Sequence, residues 1–133
     1  MTGSTETGPM VAVREFVEGF NADDAVRMQR ACTDETSIID DFPPHEWTGS
    51  RATTTWYLDM SGMASGYGMS AWSVTLDEPR EVTVSGARAY VVVPVGVRWM
   101  QKGKPVERPG FLTAALREKG AVWRISAYAW TWT

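Results

Sequence analysis

The feature of the sequence that most restricts the fold is a long stretch in which apolar residues recur at every second position. It runs from Ala87 to Met100, and its regular positions are Ala89, Val91, Val93, Val95, Val97 and Trp99. Successive side chains of a β-strand point to opposite faces, so this spacing predicts one long strand with an apolar face. Pro94 and Gly96 interrupt the other face, and they predict a bulge that would curve the sheet.

Period-two spacing continues on both sides of this strand, from Ser70 to the end of the chain. Further strands are predicted at Trp72–Leu76, Glu81–Val84, Phe111–Glu118 and Val122–Trp132. Short glycine-containing turns separate the later strands, at Lys102-Gly103-Lys104 and at Lys119-Gly120. This part of the chain therefore predicts an antiparallel sheet whose strands follow one another through hairpins.

The N-terminal part of the chain instead shows helical spacing. The apolar face of a first helix would consist of Met10, Val13, Phe16, Val17 and Phe20. Pro9 suits the first turn of this helix, and Asn21 suits the left-handed geometry of its end. A second short helix is predicted at Asp23–Ala31, where it would present Val26 and Met28 to the core.

One strand and one further helix are predicted between these helices and the sheet. Residues Thr36–Phe42 are β-rich, and the two prolines that follow would end the strand. Ser50 is predicted to cap a third helix at Arg51–Met63, with Ala52, Trp56 and Met60 on one face. Glycines then predict a loose connection over residues 62–68. Helices segregated from an antiparallel sheet define the α+β class.

Composition limits the kinds of partner that the chain can have. The 133 residues fit one domain, predicted at residues 9–133 after a flexible tail at residues 1–8. The net charge of −3 argues against a nucleic-acid partner. No long apolar run is present and the N-terminus lacks the pattern of a signal peptide, so we expect neither a membrane partner nor secretion. A single cysteine, Cys32, fits the cytoplasm, and with a single histidine, His45, it argues against a zinc site.

Several segments resemble the nuclear transport factor 2-like superfamily, in its ketosteroid isomerase and SnoaL-like polyketide cyclase branch. They are residues 13–24, 35–41, 47–50 and 120–125, within the order of helices and strands described above. The resemblance implies a curved antiparallel sheet wrapped around the N-terminal helices, forming a cone with an apolar pocket. It also implies a homodimer.

A comparison with the ketosteroid isomerases places one acidic residue at a catalytic position. Those enzymes have a base carboxylate at the end of the first strand, where this chain has Asp40. They have an oxyanion-hole tyrosine on the first helix, where this chain has Phe16, and a protonated aspartate on a later strand, near Phe111. The resemblance therefore implies the base of such an enzyme but not its oxyanion stabilisers.

Asp40, Asp41 and His45 are the catalytic candidates. Adjacent strand residues point to opposite faces, so one aspartate should enter the pocket and the other should leave it, and the family position favours Asp40. A carboxylate in an apolar pocket has a raised pKa, which suits general acid–base catalysis near neutral pH. His45 would exchange a proton with Asp40 from the loop after the strand. The alternatives are aspartates that cap the turn or pair with a surface arginine, and a solvated loop histidine.

Aromatic residues are the candidates for substrate binding. The chain has seven tryptophans, more than a domain of this size is expected to bury completely. The predicted lining consists of Phe16, Trp56, Tyr57, Trp72, Trp99, Phe111, Tyr128 and Trp130. The alternative for any one ring is ordinary core packing or burial in a dimer interface.

Two functions from different classes remain open on the sequence. The first is an enzyme that removes a proton beside a carbonyl group of a hydrophobic small molecule, giving isomerisation, cyclisation or dehydration without a metal or organic cofactor. Asp40 would be the base, and His45 or a pocket tyrosine would be the acid. The second is a non-catalytic ligand-binding or dimerisation module of the same fold.

Overall fold

Three helices lie within residues 8–133, the part of the chain that the computed structural model describes. They are α1 (Met10–Asn21), α2 (Ala25–Arg30) and α3 (Ala52–Gly66). Every residue of the predicted apolar face of α1 is buried, which confirms the helical spacing. The predicted end of the third helix is wrong, because α3 continues to Gly66. The predicted cap is wrong as well, since Arg51 occupies the N-cap and no side chain caps the helix.

The connection between α1 and α2 is tight. The backbone of α2 passes so close to Gly19 that a Cβ there would lie 3.0 Å from the main-chain nitrogen of Met28. The left-handed residue of this connection is Asp23, with φ of 57°, and not Asn21 as predicted. The carboxylate of Asp24 caps α2 by accepting a hydrogen bond from the main-chain N–H of Arg27 at 3.0 Å. Met28 is fully buried, whereas Val26 is exposed, so only one of the two predicted core contacts of α2 forms.

Seven strands form a single sheet within the same residues. They are β1 (Cys32–Ile39), β2 (Glu46–Gly49), β3 (Met69–Leu76), β4 (Glu81–Ser85), β5 (Arg88–Gln101), β6 (Lys104–Lys119) and β7 (Val122–Trp132). The strand order is β2-β1-β7-β6-β5-β3, and β4 pairs with β5 beyond the end of β3. All pairs are antiparallel except β1 with β7, which is parallel. The α+β class is confirmed.

The first strand differs from its prediction at both ends. It begins at Cys32 and ends at Ile39, so Asp40 and Asp41 follow the strand and do not belong to it. Strand β2 was not predicted from the sequence. It pairs antiparallel with β1 from Thr36↔Gly49 to Ile39↔Glu46, and this pairing defines the edge of the sheet.

The alternating segment forms β5 as predicted, with every inward residue from Ala89 to Trp99 buried. The predicted bulge is wrong, because β5 and β6 pair without a register shift along their whole length. Along one edge, β5 pairs first with β4 and then with β3, and Pro94 lies between these two paired segments. Proline has no N–H, so it is tolerated at this position, where neither strand needs one. The irregularities lie elsewhere, including a shift in β3 between Ser70 and Ser73, where Ala71 has φ of 55°.

The helices pack against both ends of the strand order. α1 contacts β3 and β7, while α3 contacts β1, β2 and β3. Elements so far apart in the sheet can contact the same helices only if the sheet curves around them. The amide of Asn21 fixes α1 to the edge strand, donating to the carbonyl of Val74 and accepting from its N–H, each at 2.8 Å.

Two further expectations concern the termini and the membrane. Most of the predicted flexible tail, residues 1–7, lies outside the described residues. Within residues 8–133, no helix combines the length and the apolar character that crossing a membrane requires.

Candidate functional site

Hydrogen bonds show which way Asp40 points. The residue follows the end of β1, after the buried Ile38 and the 60% exposed Ile39, and is itself only partly exposed. Both of its carboxylate oxygens accept hydrogen bonds from neutral N–H groups. The indole of Trp56 donates to Oδ2 at 2.9 Å, and the main-chain N–H of Asp41 donates to Oδ1 at 2.7 Å. The carboxylate is therefore held by neutral donors, and the alternative of a pair with a surface arginine does not describe it.

The environment of Asp40 makes it a usable base near neutral pH. Burial raises the pKa of its carboxyl group from 3.8 to about 6. The hydrogen bonds from Trp56 and from the main chain of Asp41 lower this pKa, and the charge of Asp41 raises it. Burial outweighs the two hydrogen bonds. The group is thus mostly ionised at pH 7 and still basic enough to accept a proton.

Asp41 also reaches the same cavity, contrary to the expectation that one aspartate would leave it. Its Oδ2 accepts a hydrogen bond of 2.8 Å from the indole N–H of Trp132, a ring of the cavity wall. The alternation of strand side chains does not apply here, because β1 has already ended. Asp41 is exposed, in contrast to the largely buried Asp40.

A partly open cavity of about 80 Å³ lies beside the two aspartates. Four indole rings dominate its wall: Trp56, Trp72, Trp130 and Trp132. The other apolar lining residues are Phe20, Phe42, Met60, Met63, Val74 and Val97. Ligand pockets usually measure about 300–1000 Å³. The aromatic rings therefore fill most of the cone, and the space beside Asp40 accommodates only a small chemical group.

Stacking holds the indole rings of the cavity in place. Trp130 is parallel to Trp56, with an interplanar angle of 6° and 6.1 Å between ring centroids. Trp72 stacks on Trp99 at 4.8 Å and 21°. The guanidinium of Arg108 makes a cation–π contact with Trp132, 4.5 Å from the ring centroid. These contacts restrict the ring planes.

Two of the four indole N–H groups have no acceptor within residues 8–133. Those of Trp56 and Trp132 donate to Asp40 and Asp41, as described above. The indole nitrogens of Trp72 and Trp130 are buried, and neither has a hydrogen-bond partner among residues 8–133. Buried donors are usually paired, so two unpaired donors in one small cavity are unusual.

His45 does not take the position predicted for a proton-transfer partner. It lies in the exposed turn between β1 and β2, with φ of 73°. Its ring Nδ1 lies 3.2 Å from the main-chain carbonyl oxygen of Asp40. The ring is therefore engaged with the backbone of Asp40 and not with its carboxylate.

Four of the predicted lining residues lie behind the cavity wall. Phe16 is fully buried, with its ring 4.8 Å from that of Tyr128. The hydroxyl of Tyr128 shares a hydrogen bond of 3.2 Å with that of Thr53, and burial raises its pKa well above 10. Trp99 supports Trp72 from the core side. The hydroxyl of Tyr57 donates to a carboxylate oxygen of Asp23, and desolvation raises its pKa to about 12.

The prediction that Phe111 lines the pocket is wrong. Leu112 and Ala114 on β6 are buried in the core, so Phe111 points to the opposite face of the sheet. There the guanidinium of Arg80 lies 5.0 Å from its ring centroid. The position near which ketosteroid isomerases carry a second aspartate is thus turned away from the Asp40 cavity in this chain.

Three aromatic residues of the wall, Phe20, Phe42 and Trp132, were not among the predicted lining residues. Trp132 has the same strand parity as Trp130, and this signal could have identified it. Phe20 follows Phe16 by one helical turn and was assigned only to the apolar face of α1. Its ring lies 6.2 Å from that of Trp56 and 6.4 Å from that of Trp130, at the base of the cavity.

A larger concavity of about 1230 Å³ lies at the other end of β1. It is a wide groove between α2, the start of α3 and the β6–β7 hairpin, with charged walls that include Arg51, Arg117 and Arg124. It contains neither Asp40 nor any tryptophan. We therefore place the candidate site at the smaller cavity, where a raised pKa, aromatic walls and unpaired donors coincide. Within residues 8–133, no cluster of three or more His, Cys, Asp or Glu side chains could hold a metal ion.

One known protein family matches most of the chain. The model of the SnoaL-like domain matches residues 10–129. The chain belongs to this family. A comparison of the sequence with curated proteins finds no match.

Solved structures share the fold of this SnoaL-like chain at low sequence identity. A ketosteroid isomerase-like protein from Erwinia carotovora atroseptica has a TM-score of 0.72 and 17% identity, over 92% of this chain and 91% of that protein. A nuclear transport factor 2-like protein with a cystatin-like fold from Novosphingobium aromaticivorans has a TM-score of 0.73 and 14% identity, over 92% and 77%. A protein with a cystatin-like fold from Caulobacter vibrioides has a TM-score of 0.74 and 15% identity, over 93% and 86%. The nuclear transport factor 2-like fold that the sequence segments implied is confirmed.

Proposed function

We propose that this SnoaL-like protein is an enzyme that removes a proton beside the carbonyl group of a hydrophobic small molecule. The single observation that carries the proposal is the carboxyl group of Asp40, which is held in an aromatic cavity with its pKa raised to about 6. A base whose pKa lies near the working pH combines a large ionised fraction with a strong drive to accept a proton.

The reaction would use Asp40 both to take and to return the proton. The C–H bond beside the carbonyl breaks, its proton moves to a carboxylate oxygen, and the electron pair moves to the carbonyl oxygen as an enolate. Return of the proton to another carbon gives an isomer. Attack of the enolate on a second carbonyl carbon of the same molecule gives a ring instead: the C=O π bond of that carbonyl breaks, and its oxygen takes the proton back from Asp40. The hydrogen bonds from Trp56 and from the main chain of Asp41 leave one lone pair on each oxygen of Asp40 for this step.

Neither predicted acid partner takes part in this proposal. The ring of His45 is bound to the main chain of Asp40, and the hydroxyl of Tyr128 is bound to Thr53. The protonated form of Asp40 itself would act as the acid. A substrate would place only its reacting group in the space of about 80 Å³, with the rest of the molecule outside the cavity.

A second candidate function is a ligand-binding module without catalysis, and the small volume of the cavity favours it. A cone largely filled by tryptophan admits few atoms beyond a small acceptor group. Tyr128 and Trp130 face the interior of the cone, so these two rings would not form part of a dimer interface. The homodimer remains a proposal, and so does the cytoplasmic location. Sedimentation equilibrium of the purified chain would test the homodimer.

Hydrogen–deuterium exchange beside a carbonyl would test the enzyme proposal without knowledge of the natural product. The protein is incubated in D₂O with cyclopentanone and with small cyclic β,γ-unsaturated ketones, and NMR follows deuteration and isomerisation. We expect the rate to rise with pH through an apparent pKa of about 6 and to be lost in Asp40→Asn. Asp34→Asn, on an exposed position of β1, is the matched control. A rate that is equal in Asp40→Asn and the unaltered protein would reject the enzyme in favour of the binding module.

A further inference from the structure

The two unpaired indole N–H groups of the cavity point to the chemistry of the ligand. Trp72 and Trp130 both line the cavity beside Asp40, and their nitrogens are buried without an acceptor among residues 8–133. The indole N–H can donate a hydrogen bond but cannot accept one. Whatever satisfies these groups must therefore supply an acceptor atom.

The two donors come from distant strands of the curved sheet. Trp130 is on β7, next to β1 and Asp40, whereas Trp72 is on the edge strand β3. The register shift of β3 between Ser70 and Ser73 spans Trp72. Bulges of this kind re-aim a side chain and often occur beside functional sites. The local irregularity of β3 is thus associated with the residue that contributes the second donor.

Each unpaired indole is stacked on a second indole whose N–H already donates a hydrogen bond. Trp130 lies parallel to Trp56, which donates to Asp40. Trp72 stacks on Trp99, which donates to Oε1 of Gln101 at 3.2 Å. The supporting rings are buried, so the donor rings are fixed before any ligand arrives. Donors fixed in advance need no reorganisation when charge develops on an acceptor.

We propose that Trp72 and Trp130 donate hydrogen bonds to one carbonyl oxygen of an uncharged, hydrophobic ligand. An anionic ligand is disfavoured, because the carboxylates of Asp40 and Asp41 line the same cavity. This deepens the proposed function and rests on it for one step: as the proton moves to Asp40, the carbonyl oxygen becomes an enolate oxygen, and its bonds to the two indoles strengthen.

NMR of the indole groups tests the proposal directly. The full chain is labelled with ¹⁵N in tryptophan, and the seven indole signals are assigned with single Trp→Phe variants. The probe is cyclopentanone, and its matched control is cyclopentane, which has the same ring without the acceptor. We expect cyclopentanone to move the Trp72 and Trp130 indole protons downfield, and cyclopentane to leave both without a downfield shift. Trp72→Phe and Trp130→Phe should each weaken cyclopentanone binding about fivefold.

Four results would overturn the proposal. In the first, cyclopentanone does not bind, and in the second it shifts the indole signals no more than cyclopentane does. In the other two it shifts only one of the Trp72 and Trp130 signals, or only those of other tryptophans. Equal shifts would indicate that packing of the hydrocarbon ring, and not a hydrogen bond to the carbonyl oxygen, moves the indole signals. The same titration in Asp40→Asn separates this inference from the proposed function. Downfield shifts that persist there without any catalysed exchange in the unaltered protein would retain the carbonyl site and reject the enzyme. Hydrogen–deuterium exchange that depends on Asp40, without the indole shifts, would retain the enzyme and reject the carbonyl site.

Discussion

The indole nitrogen of Trp56 lies 2.9 Å from Oδ2 of Asp40 and donates a hydrogen bond to it. The same ring lies parallel to Trp130, whose N–H has no acceptor within residues 8–133. One side chain of α3 therefore orients the candidate base and supports one candidate donor for the substrate oxygen. This relationship links the acid–base chemistry of the cavity to its hydrogen-bonding chemistry.

Replacing Asp40 by asparagine should stabilise the protein near neutral pH. The pKa of Asp40 is about 6 in the folded chain and 3.8 ordinarily, so between these values the folded state holds a proton that the unfolded state has released. The free energy of unfolding therefore falls as pH rises through this window. We expect Asp40→Asn to be more stable than the unaltered chain by about 3 kcal/mol at pH 7, with little difference near pH 4. Urea denaturation at several pH values measures this, and a stability difference that grows as pH falls would contradict it.

Replacing Trp56 by phenylalanine should raise the pKa of Asp40 above its present value of about 6. The hydrogen bond from Trp56 lowers that pKa, and phenylalanine cannot donate one. The change should also destabilise the fold by about 2 kcal/mol, because Trp56 is buried. A titration of the Asp40 carboxyl carbon by ¹³C NMR measures the shift.

Trp47→Phe is the matched control for Trp56→Phe. Trp47 is also buried, and its indole also donates to an aspartate, Oδ2 of Asp59 at 2.9 Å. We expect this variant to lose similar stability while the pKa of Asp40 stays unchanged. A similar rise in both variants would mean that loosened packing, and not the lost hydrogen bond, shifts the Asp40 pKa.

Asn21→Ala should loosen the edge strand that carries Trp72. The amide of Asn21 makes two hydrogen bonds of 2.8 Å to the main chain of Val74, and alanine makes neither. We expect a loss of about 2 kcal/mol in the free energy of unfolding. Amide hydrogen exchange should show lost protection at Val74 first. Retained protection there would show that the strand edge does not depend on this side chain.

Two glycine-to-alanine changes should have opposite effects on stability. A Cβ on Gly110 would lie 2.7 Å from the carbonyl oxygen of Thr131, so the β6–β7 pair would have to move apart. We expect Gly110→Ala to cost about 2 kcal/mol. A Cβ on Gly62 in α3 would meet nothing within 4 Å, and alanine favours a helix by about 1 kcal/mol over glycine. Thermal unfolding of both variants measures the contrast, and a stabilising Gly110→Ala would refute the close contact.

Local spacing was sufficient to predict the apolar faces of the main elements. The stripe from Ala89 to Trp99 and the face of α1 depend only on which side of a strand or helix each residue occupies. Short elements and their ends were less predictable. Strand β2 has four residues, and it forms through its pairing with β1, which no local pattern reports.

The sequence and its family resemblance together assigned Asp40, Trp56, Trp72 and Trp130 to one apolar pocket. They gave neither its small volume nor its lining by Phe20, Phe42 and Trp132. A strand pattern gives the face on which a residue lies, whereas the curvature and register of the sheet decide which distant residues on that face come together. Trp72 on β3 and Trp130 on β7 border one cavity because three strand-to-strand steps of the curved sheet bring them together. The raised pKa of Asp40 has the same origin, since burial beneath several elements causes it and no single segment of the sequence contains that burial.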